Sequence, residues 1–156
     1  MRWLLLILGN IWMIVNTLIS ALYIGAMWAF GQFKWGRFTG WAILLVVPKG
    51  CRTFNYMSKG NWAGWSSGPF ILIKEGYEVV AQTVTHEERH VKQQLLFGVF
   101  QPILYILSSV WIWLFCKSLH SYYDNPFEVD ARRAAGQQVK IPPEQWKDGK
   151  DRWAWW

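Results

Sequence analysis

Gln93-Gln94-Leu95-Leu96-Phe97-Gly98-Val99-Phe100-Gln101-Pro102-Ile103-Leu104-Tyr105-Ile106-Leu107-Ser108-Ser109-Val110-Trp111-Ile112-Trp113-Leu114-Phe115-Cys116 is an uncharged run of 24 residues. A bilayer-spanning helix takes about 20 apolar residues, so the run is long enough to cross. Proline removes an amide donor and clashes with the turn before it, so a kink or break is expected near Phe100 to Pro102. Two architectures follow. Either this is one kinked transmembrane helix, or a helix enters to about Gly98 and a second, roughly 103–119, brings the chain back.

Upstream, Trp3 to Phe33 holds no charge over 31 residues. It reads as an N-terminal transmembrane helix within 1–33. It is too long for the apolar core of a cleaved signal peptide, about 7–15 residues. Asn10, Asn16, Thr17 and Ser20 within it are expected to bond a neighbouring helix and are assigned no function. If only this helix crosses, Arg2 is alone on one side and 15 of the 16 Lys and Arg lie on the other; if both runs cross, the split is 8 and 8. The positive-inside bias favours the first arrangement, with the bulk of the polar residues cytoplasmic and the second run a re-entrant hairpin.

Composition agrees with a membrane setting. Charged residues are 17 % and aromatics 18 %, with 13 Trp, which excludes a disordered chain. Cys51 and Cys116 are too few for a disulfide scaffold and are expected to be unpaired. Between the apolar runs, region 34–82 carries short β-like pieces, Trp41 to Val47 and Pro69 to Ile73, closed by turn signals at Pro48-Lys49-Gly50 and Lys74-Glu75-Gly76. A small sheet or hairpin is expected there, with Asn61 to Gly68 as a loop. The tail, 136–156, is polar and ends in Trp153-Ala154-Trp155-Trp156, read as an interfacial anchor. The chain is thus expected to be a mainly α membrane protein with a small β insert.

The chemistry lies in region 83–135. Thr83-Val84-Thr85-His86-Glu87-Glu88-Arg89-His90-Val91-Lys92-Gln93 contains the pattern H-E-x-x-H. Residues i and i+4 of a helix lie about 40° apart, so His86 and His90 can reach one ion. Glu87 beside them can take a proton from water, the work this spacing does in metallopeptidases. Thr85 to Glu88 also fits a capping box, the plain alternative.

A catalytic zinc takes three protein ligands and a water. Candidates for the third lie in Tyr122-Tyr123-Asp124-Asn125-Pro126-Phe127-Glu128-Val129-Asp130: Glu128 first, then His120, Asp124 or Asp130. Asn125-Pro126 is a helix start, so Glu128 could instead close a capping box onto Asn125. Ligation requires the segment to return to His86; a straight span would separate them by about 33 Å.

His86-Glu87-x-x-His90 with a downstream Glu resembles the zincin metallopeptidases of the gluzincin type. More closely, His-Glu-x-x-His-Val-x-Gln followed by Asp-Asn-Pro-Phe-Glu-x-x-Ala is similar to a group of small bacterial and phage proteins. The resemblance covers about Thr83 to Ala135. It implies Zn2+ held by His86, His90 and Glu128, with Glu87 as general base. One departure is that Glu88, Arg89 and Lys92 are charged where such peptidases are usually uncharged or apolar, which fits an exposed or interface-lying helix. The expectation is a membrane-anchored zinc hydrolase of a bacterial inner membrane or phage-associated membrane, acting on a peptide or protein. Tyr122 or Tyr123 would be oxyanion donors and Asn125 a supporting residue. A homo- or hetero-oligomer would form through the N-terminal helix. No nucleic-acid motif is present. The rival readings are a metal-stabilised protein without catalysis and a purely structural membrane protein.

Overall fold

The computed structural model describes residues 2–145, so the Trp153 to Trp156 anchor lies outside the described residues. Helices α1 (Arg2–Trp12) and α2 (Ile14–Ala29) are separated by Met13 alone. The helical bonding runs on across it: Met13 N–H donates to Gly9 O and Thr17 N–H to Met13 O, both at 2.9 Å. The pair forms a rod about 42 Å long. One stripe of the rod faces the protein: Gly9, Met13, Asn16, Thr17, Ser20, Ile24 and Met27. Leu4, Ile7, Leu8, Ile11, Leu18, Ile19 and Leu22 point out, each more than half exposed.

The sheet has four strands, β1 (Lys34–Phe38), β2 (Ile43–Val47), β3 (Gly64–Ser67) and β4 (Phe70–Lys74), in the order β1-β2-β4-β3. The two expected apolar pieces are the inner strands, and they pair in parallel, joined through helix α3 (Arg52–Lys59) and β3. A parallel pair needs such a crossover and cannot be a hairpin. Three elements depart from expectation. β1 lies outside the two expected apolar pieces, β3 lies inside the expected 61–68 loop, and α3 breaks the β-like region. On one sheet face Leu45, Val47 and Leu72 pack with Ile24, Met27 and Met57. On the other, Leu44, Ile71 and Ile73 pack with Val84 and Val91 of helix α4 (Ala81–Phe97).

The stretch Ala81–Phe115 is long and apolar enough, by length and composition, to cross a membrane. It is interrupted. Gly98 has φ 57 and ψ −135, a backbone shape that favours glycine, and opens a 3-10 turn, Gly98–Phe100, before helix α5 (Gln101–Phe115). Pro102 falls in the first turn of α5, where its missing N–H costs nothing, so the expected break sits on the glycine. The rod guards this point: Asn16 Nδ2 donates to Gly98 O at 3.2 Å, and a Cβ on Gly98 would lie 2.3 Å from Trp12 Nε1. Helix α5 is also inverted, with Gln101, Tyr105, Ser109 and Ile112 turned inward and Ile103, Ile106, Leu107 and Trp111 outward.

After a turn through residues 116–125, helix α6 (Pro126–Ala134) runs antiparallel to α4, with Phe127 on Phe97, Asp130 on Arg89 and Gln137 on His86. Cys51 and Cys116 are not joined; Cys51 Sγ caps α3 by accepting from Phe54 N–H.

Candidate metal centre

Helix α4 begins at Ala81, four residues before Thr85, so the H-E-x-x-H stretch lies inside the helix and is not its cap. His86 and His90 share the face turned to α6, and Glu128, in the first turn of α6, meets them. The Nε2 atoms of the two histidines are 3.2 Å apart. Glu128 Oε2 is 3.3 Å from His86 Nε2, and Oε1 is 3.3 Å from His90 Nε2. These three residues could hold a metal ion.

The two histidine–carboxylate contacts are looser than a closed charge-assisted pair, and the group could take an ion between them. An imidazolium–carboxylate bond is about 2.7–2.9 Å, shorter than either contact, and the buried Glu128 Oε2 receives no well-formed hydrogen bond. Protonation of the ring nitrogens points the same way. Gln93 Nε2 donates to Phe127 O at 3.0 Å and to Asp130 Oδ2 at 2.8 Å, which fixes its amide and leaves Oε1 facing His90 Nδ1 at 2.9 Å. His90 therefore carries a proton on Nδ1 and can turn a lone pair on Nε2 toward the centre. His86 Nδ1 meets Gln137 Oε1 at 3.0 Å. Gln137 is brought there by Gly136 (φ 65), which ends α6 and lets Gln137 N–H close onto Arg132 O.

Burial and charge oppose each other here. Burial disfavours the imidazolium of His90, but Glu128 beside it outweighs this and raises its pKa to about 9. Glu128 is likewise pushed up by burial, yet His90 and His86 hold it well below the usual carboxylate range. Glu87 lies the other way: burial dominates and raises its pKa. It is pressed against β3, where a Cβ on Gly64 would lie 2.8 Å from its Oε1 and where Ser66 hydrogen-bonds it.

The other sequence candidates are dispersed. Asp130 forms a two-pronged pair with Arg89, at 2.7 and 3.0 Å, clamping α4 to α6. Lys92 sits over the Trp41 ring at 4.9 Å. Arg89 and Lys92 thus serve the flanks of α4 while its ligand face stays clear of them. Asp124 accepts from His120 N–H, and buried His120 accepts on Nδ1 from the N–H groups of Tyr122 and Tyr123. Asn125 caps α6 by accepting from Phe127 N–H and ties it to α5 by donating to Tyr105 O and Ser109 Oγ. Glu128 is thus free of the capping duty. Tyr122 is half-buried with its hydroxyl directed at Glu128, whereas Tyr123 packs with His120 and Arg132 and offers its carbonyl to Arg132.

Sequence reasoning missed Tyr105, whose hydroxyl donates to Glu128 Oε1 at 3.0 Å, and Gln137. Tyr105 had a signal: Gln101, Tyr105 and Ser109 recur every four residues, a polar stripe on an otherwise apolar helix. No family model, curated protein or solved structure matches the chain.

Proposed function

We propose that this protein is a membrane-bound zinc hydrolase of peptide bonds, with a centre of the gluzincin type. The donor triangle carries the reading. Ligands placed tetrahedrally at 2.0–2.1 Å from zinc lie about 3.3 Å from one another; the two histidine Nε2 atoms are 3.2 Å apart, each is 3.3 Å from a different oxygen of Glu128, and one ligand atom from each residue lies within 4.8 Å of the others. When bound, zinc supplies Lewis acidity to a substrate carbonyl and lowers the pKa of water to about 7.

The chain's own groups supply the rest. Glu87 is buried beside the two histidines with its pKa raised, suited to taking a proton from the attacking water and passing it to the leaving amine. Tyr122 is the candidate donor to the developing oxyanion. β3 is the terminal strand of the sheet and passes Glu87 at Gly64 and Ser66, so an extended peptide added to its outer edge would bring a backbone carbonyl beside the base. A metal that merely stapled α4 to α6 would leave buried Glu87 without a task. Membrane binding is supported by the inverted surfaces of the rod and α5, which turn polar residues inward and leucine, isoleucine and tryptophan outward.

The test is metal analysis of the purified protein alongside His86→Ala and Glu87→Gln. The expected result is zinc in the wild type and in Glu87→Gln, none in His86→Ala, and peptide hydrolysis reduced by about 10²–10⁴ in Glu87→Gln. Zinc content that ignores His86 sinks the site; full activity in Glu87→Gln sinks the mechanism.

A further inference from the structure

We propose that the α1–α2 rod lies along the membrane surface within a single leaflet, instead of crossing the bilayer. This rests on the membrane part of the proposed function and is independent of the metal. The rod touches the body from end to end. Trp3 stacks on Phe38 at 5.8 Å, Gly9 abuts Leu95, Ser20 Oγ meets Ser67 Oγ at 2.7 Å, Tyr23 packs on Trp65 at 5.4 Å, and Met27 joins the sheet core. From Trp3 to Met27 is about 36 Å, more than the roughly 30 Å of a hydrocarbon layer.

A rod standing across the bilayer would therefore carry the body in with it. That body is an open sheet with edge strands β1 and β3, and β1 exposes Lys34 and Arg37. Open sheet edges do not occur in lipid, and exposed charges there are costly. Helix α5, at about 22 Å, is too short to cross alone. The outward face points to lipid as its partner. It carries no charged residue from Trp3 onward: Leu4, Ile11, Leu18 and Leu22 are each more than half exposed along it, with Trp3 and Trp28 exposed at its two ends. Tryptophan prefers the interface.

The experiment reads depth along the rod. Leu4→Cys, Ile11→Cys, Leu18→Cys and Gly25→Cys lie on one outward line, seven residues apart, and a Cβ at Gly25 meets nothing within 4 Å. Each is made in a Cys51→Ser, Cys116→Ser background and labelled with an environment-sensitive fluorophore. The protein is then bound to vesicles of phosphatidylcholine with some phosphatidylglycerol, carrying quenchers at known depths. Equal, shallow depth at all four positions is expected. Positions 11 and 18 lying about 10 Å deeper than 4 and 25 would overturn the proposal and leave membrane binding intact. No quenching at any position would overturn both. Leu8→Cys, Val15→Cys and Leu22→Cys form a second line should a variant of the first misfold.

Discussion

Gln93 orients His90. Its side-chain carbonyl meets Nδ1 at 2.9 Å while its amide nitrogen is committed to Phe127 O and Asp130, so the amide cannot flip. The ring is held with Nε2 toward Glu128, and α4 is tied to α6 by the same residue. Gln93→Leu is expected to weaken zinc binding about 10–100-fold while leaving the three ligands in place. Competition titration against a chelator checks this, and unchanged affinity would make Gln93 a packing residue only.

Capping and ligation at the start of α6 belong to different residues. Asn125→Ala removes the cap and the two bonds to α5, so it should cost more than the roughly 0.5–2 kcal/mol of a cap alone, with zinc still bound. Glu128→Ala should lose zinc, because it deletes a charged donor whose carboxylate already faces both histidines. Metal content and thermal unfolding measured on both variants separate the two effects. Full zinc in Glu128→Ala would remove it from the site.

The pH dependence should change sign with metal. His90 stands at about 9 against its ordinary 6.5, raised by Glu128 against the effect of burial. Because the folded value is the higher one, this pair stabilises the chelated protein fully below about pH 6.5 and is lost as pH rises through about 9. Zinc requires the deprotonated ring, so its affinity should rise over the same interval. Melting temperatures taken across that range with chelator and with zinc should diverge; parallel curves would contradict the assignment.

Gly64→Ala tests the approach of β3 to the base. The new Cβ would lie 2.8 Å from both Cγ and Oε1 of Glu87, so the carboxylate must move. Hydrolysis should fall at least tenfold with zinc content unchanged. Wild-type turnover would mean that Glu87 shifts without consequence.

What could be read in advance was local. The spacing of His86 and His90 needs only a helix, and Asn125-Pro126 announces the start of α6, so Glu128 was within reach of sequence reasoning. Gln137 was not: its role depends on α6 lying antiparallel to α4, 51 residues away in sequence from its partner His86. β3 was missed for a related reason. Gly64-Trp65-Ser66-Ser67 has little intrinsic strand preference and is extended because β4 pairs with it. Arg89 and Lys92 helped point to an exposed helix, yet they occupy the flanks of α4, where the partners Asp130 and Trp41 account for them.

The bond from Asn16 to the Gly98 carbonyl joins residues 82 apart in sequence. Its consequence concerns the order of synthesis. The rod leaves the ribosome before the glycine turn it guards, and the glutamine that steadies His86 emerges later still. At 5–20 residues per second, on the order of ten seconds separates them. During that interval the Asn16 and Ser20 stripe has no protein to face, and the apolar side needs a lipid surface or a chaperone. On the proposed function, metal capture would come after both, so a nascent chain would meet its membrane before its three ligands meet one another.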